Sequence, residues 1–173
     1  MLDATTTAGR SATTEQPTTT TTQTTTPTGS ASGSRDNPIP AGTPARVGDI
    51  EVTVLSWEQD GTDAVLAENM FNDEPKDGWV YSLIWVKVEY VGTDSAEPWL
   101  ALDFRGLGAS GVTLTDECGV VPDDVWEVPE LFPGGSREAN ACLTVPVSDL
   151  DSLMLFVEES FAYSANRVFF DLP

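Results

Sequence analysis

Residues 79–90 read WVYSLIWVKVEY, and this stretch decides the fold because it alternates in polarity like a long β-strand. Val86 and Val88 fall on one face of that strand, and Lys87 points the other way. The first half, residues 79–85, is apolar on both faces, which predicts that other parts of the chain cover both of its sides. The stretch therefore indicates a central strand in an all-β domain.

The rest of the domain continues this pattern. Six further stretches are rich in β-branched and aromatic residues, and they cover residues 49–57, 100–107, 112–114, 136–145, 153–158 and 167–172. A Pro-Gly-Gly turn at residues 133–135 comes just before the fourth of them. No stretch has a convincing helical period. About seven strands joined by turns predict an antiparallel β-sandwich, with residues 67–78 and 117–130 as its long acidic loops.

The composition changes abruptly near residue 36. Residues 1–36 are rich in Thr, Ser, Pro and Gly, and they contain no aromatic residue. Such a segment buries too little apolar surface to offset the entropy of ordering it. The sequence thus predicts a disordered Thr-rich stalk ahead of one domain at residues 37–173. That stalk is a plain flexible linker or, in a secreted protein, a platform for O-glycosylation.

The chain is strongly acidic, with a formal net charge of −20 at pH 7 from 28 acidic and 8 basic residues. Residues 1–35 contain two of each and contribute no net charge, so the excess lies on the domain. A domain of this charge repels nucleic acid and anionic lipid, and we expect neither as a partner. The even spread of the acids is typical of a solvated surface; the alternative is a docking face for a basic partner or for cations.

The chain contains no histidine. Ser-His and Cys-His pairs and imidazole ligands for zinc or copper are therefore excluded. A hydrolase with two carboxylates is conceivable in any acidic protein, but some acidic pairs lie close by chance and do not identify a site. We expect a protein that is not an enzyme, that has no catalytic residues and that uses no organic cofactor.

Cys118 and Cys142 are the only cysteines of the chain. An even number of cysteines behind a Thr-rich stalk predicts a structural disulfide and an extracellular or envelope-attached protein. The sequence shows no signal peptide at Met1 and no apolar run of membrane-spanning length. Export is therefore inferred from the stalk, and a lipid anchor would have to lie upstream of the given start.

Several short motifs occur in a recognisable order along the domain. Residues 47–54 read VGDIEVTV, the central strand ends in VEY at 88–90, PGG follows at 133–135, and CLTVP at 142–146. In this order the chain resembles a bacterial and archaeal family of secreted immunoglobulin-like domains of unknown function, often lipoproteins. The small secreted immunoglobulin-like antigen of actinobacteria is similar in fold. The resemblance implies an immunoglobulin-like β-sandwich at the cell envelope and no catalytic residues. Many members begin with a lipid-modified cysteine, which this chain lacks.

Two acidic loops are candidate calcium sites, because a hard cation needs several oxygen ligands from one loop. The first set surrounds Cys118 and consists of Asp116, Glu117, Asp123 and Asp124. The second set precedes the central strand and consists of Asn72, Asp73, Glu74 and Asp77. Neither has the spacing of an EF-hand, and the alternative is that these are solvated loop acids. A calcium-stabilised surface domain is thus one minor hypothesis.

The chain has five tryptophans, and three of them fall within strand patterns, where core packing is expected. Trp99 and Trp126 lie between strands and are the candidates for an exposed platform that stacks on sugar rings. The alternative for both is local packing under a loop. We expect a secreted or cell-surface interaction module that binds a protein partner through its loops or a sheet edge, and a carbohydrate-binding module is the second hypothesis.

Overall fold

The computed structural model describes residues 32–115, 117–162 and 166–173. The prediction of a disordered stalk falls mostly on residues 1–31, which lie outside this described part. From residue 33 the chain already contacts the domain, because the Phe169 amide donates to the Gly33 carbonyl at 2.9 Å. The Asp171 amide likewise donates to the Ile39 carbonyl at 2.9 Å. Residues 33–39 thus run along the last strand of the domain.

Within the described residues, eight strands form two four-stranded antiparallel sheets. In chain order they are β1 (Ala45–Val47), β2 (Ile50–Glu58), β3 (Trp79–Tyr90), β4 (Leu102–Leu107), β5 (Thr113–Leu114), β6 (Ser136–Pro146), β7 (Met154–Glu159) and β8 (Val168–Asp171). The first sheet has the order β1-β2-β3-β6, and the second has the order β5-β4-β7-β8. Strands β2, β3 and β6 correspond to A, B and E of an immunoglobulin domain, and β4, β5, β7 and β8 to C, C′, F and G. The predicted immunoglobulin-like β-sandwich is confirmed.

The core lies between the two sheets and is built from alternate residues of their strands. Strand β3 pairs with β6 along its length, from Trp79 opposite Pro146 to Glu89 opposite Ser136. The fully buried side chains include Ile50, Val52, Val54, Ile84, Val86, Val88, Leu143, Leu155, Val157 and Phe170. Every one of these comes from a stretch with strand periodicity, so the period-two pattern places the core correctly.

The expectation of no helix is wrong. The structure contains α1 (Thr62–Glu68), α2 (Pro98–Ala101) and two 3₁₀ turns, at Val125–Glu127 and Val147–Ser152. Helix α1 covers the outer face of β3, where Val65 is buried against Tyr81 and Leu83. A seven-residue helix without a side-chain N-cap is not stable alone, so it forms through this packing and leaves little trace in the sequence. The same contact explains why the first half of β3 is apolar on both faces.

Cys118 and Cys142 form the predicted disulfide, with their Cα atoms 6.3 Å apart. The bond ties residues 117–124 to the free edge of β6. On either side of it, the Asn140 amide donates to the Asp123 carbonyl at 2.7 Å, and the Thr144 amide donates to the Thr115 carbonyl at 3.2 Å. An unpaired eleven-residue edge strand is a template for aggregation, and this segment covers it.

Candidate functional site

Five large apolar side chains are exposed on the connections at one end of the sandwich. We call them the loop-end patch; they are Trp99, Leu100, Trp126, Phe132 and Phe161. Phe161 is 81% exposed, Phe132 62% and Leu100 50%, while the two tryptophans are about 40% exposed. Large exposed apolar patches on monomeric proteins commonly mark interaction surfaces.

Hydrogen bonds bring the three connections of the patch together. Strands β3 and β7 end, and β4, β6 and β8 begin, at this edge of the sandwich. The Ser160 amide donates to the Ala101 carbonyl at 2.9 Å, which joins the β7–β8 connection to α2. Ala96 and Leu131 exchange two backbone hydrogen bonds of 3.0 and 2.8 Å, which join the segment before α2 to the turn before β6. Helix α2 also lies against the 3₁₀ turn that carries Trp126.

Local sequence explains why α2 points its apolar residues outward. Pro98 is the first residue of the helix, where its fixed φ is favourable and its missing N–H is no loss. The helix ends after one turn because Leu102 is already extended as the start of β4. Pro98 and Leu102 are buried on either side, so Trp99 and Leu100 are the residues left to face solvent.

Phe161 stands out by its backbone as well as by its exposure. Its φ is +68°, in the left-handed region that favours glycine. The Ala162 amide donates to the Glu159 carbonyl at 3.1 Å, and the Ser160 amide is held by Ala101, so the flanking backbone fixes this geometry. A bulky residue in the left-handed region costs about 1–2 kcal/mol relative to the right-handed one.

Carboxylates surround the loop-end patch. They belong to Asp49, Asp94, Glu97, Glu127, Glu130 and Glu159. Beneath α2 lies a cavity of about 350 Å³, and Asp49, Asp94 and Glu159 contribute to its wall. Arg46 at this end is already paired with Asp49, with 2.5 Å between guanidinium nitrogen and carboxylate oxygen. Arg137 lies at the same end, in a cavity lined by Asp123, Asp124 and Glu127. Carboxylates outnumber arginines at this end, so the patch is an apolar surface with a mainly anionic border.

The basic residues of the second sheet are also engaged. Glu158 is buried at the outer face of β7, where it bonds Arg167 at 2.7 Å and Arg105 at 3.2 Å. Arg167 in turn lies over the ring of Phe156, 4.3 Å from its centroid. These two arginines neutralise a buried carboxylate and cover an aromatic ring. They therefore do not neutralise the carboxylates around the loop-end patch.

The structure places Trp99 and Trp126 on two elements that contact each other, each with more than half of its surface covered. Asp124 lies two residues before Trp126. Its carboxylate accepts a hydrogen bond from the Trp126 amide at 3.0 Å and so caps the 3₁₀ turn. The sequence did not single out Leu100, Phe132 or Phe161. The position of Phe132 directly before the Pro-Gly-Gly turn is the one sequence signal that could have identified it.

The first calcium set is not brought together by the residues that the structure describes. Asp116 lies outside them, Glu117 lines a cavity near β5, and Asp123 and Asp124 line another one beside Arg137. Within residues 32–115, 117–162 and 166–173 no group of three or more acidic or cysteine side chains is arranged to hold a metal. The calcium hypothesis stays a prediction, since Asp116 is part of it.

In the second set, Asn72 has a structural role. Its side-chain amide donates to the carbonyls of Val65 and Val120, both at 2.7 Å, and its carbonyl oxygen accepts the Val120 amide at 2.9 Å. These bonds fasten the loop after α1 to the disulfide-linked segment. Met70 and Phe71 project from the same loop and are highly exposed. This loop lies at the end of β2, opposite the loop-end patch, and so provides matched control positions.

Tyr81 gives the fold a dependence on alkaline pH. Burial raises the pKa of its hydroxyl above the ordinary 10.0, and the charge of Asp73 raises it further. The pKa of Tyr81 is higher in the folded state than in the unfolded state, so its neutral hydroxyl stabilises the fold in full below the unfolded pKa. This stabilisation is lost as the pH rises through the folded pKa. We expect the free energy of unfolding to fall as the pH rises above about 10, the ordinary pKa of tyrosine.

The Tyr81→Phe variant tests that expectation in urea unfolding curves measured across this range. Its free energy of unfolding should fall less than that of the wild type. The pKa of Lys87 is also raised, chiefly by its hydrogen bond to Glu89, so Lys87 also makes the fold less stable as the pH rises. This contribution is equal in the two proteins. Parallel curves for the two proteins would contradict the role of Tyr81.

No protein-family model matches this chain, and no curated protein matches it. Solved structures of similar fold include a conserved hypothetical protein of Bacillus anthracis, with 12% identity, a TM-score of 0.45, and coverage of 76% of this chain and 94% of that one. An uncharacterised β-sandwich protein of Clostridium difficile has 12% identity, a TM-score of 0.47, and coverage of 79% and 95%. A Bacillus subtilis protein provisionally described as a lipoprotein has 15% identity, a TM-score of 0.47, and coverage of 74% and 37%.

The neighbour from Clostridium difficile is described as an uncharacterised β-sandwich protein. Likeness this weak carries no argument about function. The finer resemblance to the small secreted antigen stays a prediction. None of the helices in the described ranges is long and apolar enough to cross a bilayer.

Proposed function

We propose that this protein is a non-enzymatic interaction module that binds another protein through the loop-end patch. The observation that carries the proposal is that Leu100, Phe132 and Phe161 are exposed on three connections that backbone hydrogen bonds join at one end of the sandwich. A rigid sandwich with its apolar side chains on the loops is a common arrangement for recognition. Burying these side chains in an interface removes apolar surface from water, which is the main driving force of association.

The disulfide supports a location outside the cytoplasm. Cys118–Cys142 is a structural bond that ties a covering segment to β6, and such bonds persist in oxidising compartments. The Thr-rich residues ahead of the domain have the composition of a spacer that holds a domain away from a surface. We therefore place the module in the extracellular space or on the cell envelope.

Carbohydrate binding is the second candidate, and the adjacent Trp99 and Trp126 favour it. Both rings are partly exposed on contacting elements with carboxylates nearby. However, the most exposed members of the patch are Phe161 and Phe132, and Leu100 has no ring to stack on a sugar. The patch as a whole thus suits apolar side chains of a protein better than the face of a sugar.

Selection from a phage-displayed library of random 12-residue peptides, panned against the immobilised full chain, tests this proposal. Selected peptides should lose at least about tenfold in affinity for the Leu100→Ser and Phe132→Ser variants, because a few central apolar residues carry most of an interface's energy. Anisotropy of the labelled peptides measures the dissociation constants. Met70→Ser, at the opposite end, should leave them unchanged.

Two results contradict the proposal. One is a set of selected peptides that respond to Met70→Ser and not to the loop-end variants. The other is a failure to enrich any peptide over an immobilised acidic control protein. A change in tryptophan fluorescence on adding chitin or cellulose oligosaccharides, absent with the peptides, would favour the carbohydrate candidate instead.

A further inference from the structure

Phe161 combines three properties that rarely occur together. It is an aromatic residue, it is 81% exposed, and it occupies a left-handed backbone conformation with φ +68°. Exposure gives it no packing energy that would compensate for the strained backbone. Glycine would fit the same position without strain. Strained residues of this kind cluster at binding and catalytic sites, where the strain serves to present a side chain.

The surroundings of the patch restrict the charge of what binds there. The chain as a whole carries −20, and six carboxylates border the patch at Asp49, Asp94, Glu97, Glu127, Glu130 and Glu159. Arg46 pairs with Asp49 and Arg167 pairs with Glu158. Arg137, at the start of β6, lines a cavity with Asp123, Asp124 and Glu127, so carboxylates still outnumber guanidinium groups there. An anionic partner surface is repelled, whereas a cationic one is attracted and oriented before contact.

We infer that Phe161 is the anchor residue of the loop-end patch, and that the partner is a protein segment in which lysine or arginine alternates with large apolar side chains. The inference rests on the proposed function and specifies its partner. The Phe161 ring and Leu100 contact the apolar side chains of the partner. The cationic groups lie against the surrounding carboxylates, including those of Asp94 and Glu159 at the cavity beneath α2.

The strained backbone provides a test that separates binding from folding. Phe161→Ala removes the ring and keeps the Cβ atom, so it keeps the strain. Phe161→Gly removes both. We expect the thermal midpoint of Phe161→Gly to rise by about 2 °C, whereas that of Phe161→Ala should stay within about 1 °C of the wild type. If Phe161 were kept for stability, the thermal midpoint of Phe161→Gly would lie below that of Phe161→Ala.

Binding is measured on the full chain with three synthetic 12-residue peptides. The first contains Lys, Leu and Trp, the second has Glu in place of each Lys, and the third has Ser in place of each Leu and Trp. We expect the first to bind the wild type, and both Phe161 variants to weaken it at least about tenfold. Phe71→Ala, which removes an equally exposed ring at the opposite end, should leave its affinity unchanged.

Neither Phe161 substitution changes the net charge of the protein. The two variants therefore separate recognition by the loop-end patch from the general attraction of a cationic peptide to an acidic protein. Raising sodium chloride from 50 to 300 mM should weaken the first peptide, because exposed charges are then screened. Equal binding of the Glu peptide, or of the Lys/Ser peptide, overturns the assigned partner chemistry. Unchanged binding by both Phe161 variants overturns the anchor.

The two proposals fail in different ways. If Leu100→Ser weakens library-selected peptides but the Phe161 variants do not, the loop-end patch is the binding surface and Phe161 is not its anchor. If selected peptides are apolar without cationic residues and still respond to Phe161→Ala, the anchor stands and the assigned charge is wrong. If no loop-end variant affects any selected peptide, the proposed function itself is refuted.

Discussion

Replacing Phe170 with alanine should lower the free energy of unfolding by about 3–5 kcal/mol, which is the largest effect we expect from a single substitution. Phe170 lies on β8 opposite Leu155, has no exposed surface, and belongs to the core between the two sheets. The substitution removes a ring from a close-packed interior that cannot collapse around the gap. Because domains of this size are stable by only about 5–15 kcal/mol, the variant should unfold at markedly lower denaturant concentration.

The matched control is Phe71→Ala, which makes the same chemical change at a site that is 82% exposed. It should change the free energy of unfolding by no more than about 0.5 kcal/mol. Urea unfolding followed by tryptophan fluorescence measures both variants. Equal losses for the two would mean that Phe170 is not packed between the sheets as described.

Breaking the disulfide should have the second largest effect. Cys118 and Cys142 are separated by 24 residues, and closing a loop of that length stabilises a fold by about 3–4 kcal/mol in the chain-entropy model. The same bond holds Val121 and Cys118 in the small cluster with Tyr81 and Leu83 on the outer face of β3. We expect the Cys118→Ser, Cys142→Ser double variant to lose about 3 kcal/mol and the wild type in dithiothreitol to lose a similar amount.

Hydrogen exchange locates that loss. Amides of residues 117–122 should exchange faster in the reduced protein, because their tether to β6 is lost, while those of β7 should remain protected. Exposing the edge of β6 should also increase aggregation on heating. A reduced protein with unchanged unfolding curves would show that the bond adds nothing to a segment already held by the Asn140 and Thr144 hydrogen bonds.

Polarity alternation predicted the sheets well, because each buried strand has one face in a common core. It missed β1, whose three residues are too few to show a period and which depends on the turn at Gly48, where φ is +59°. It missed α1 for a related reason, since Val65 alone is buried from that helix. Short elements are stabilised by what they pack against, and this information lies elsewhere in the chain.

The candidate site was harder to predict than the fold. Leu100, Phe132 and Phe161 come from connections spaced over about sixty residues, and only the folded backbone shows that these connections lie at one end of the sandwich. Phe161 in particular has no local signal, because its left-handed conformation is imposed by bonds from Ser160 to Ala101 and from Ala162 to Glu159. The two cysteines could be paired from sequence because there was one possible partner for each.

Hydrogen–deuterium exchange of the full chain, with and without the tightest library-selected peptide, tests the central claim most directly. The account predicts that the peptide slows exchange in residues 91–101, 128–135 and 158–162, the three connections of the loop-end patch. Residues 69–74, which carry the exposed Met70 and Phe71, should exchange at the same rate in both samples. Protection confined to residues 69–74, or none in the loop-end connections, would contradict the assignment of this surface as the binding site.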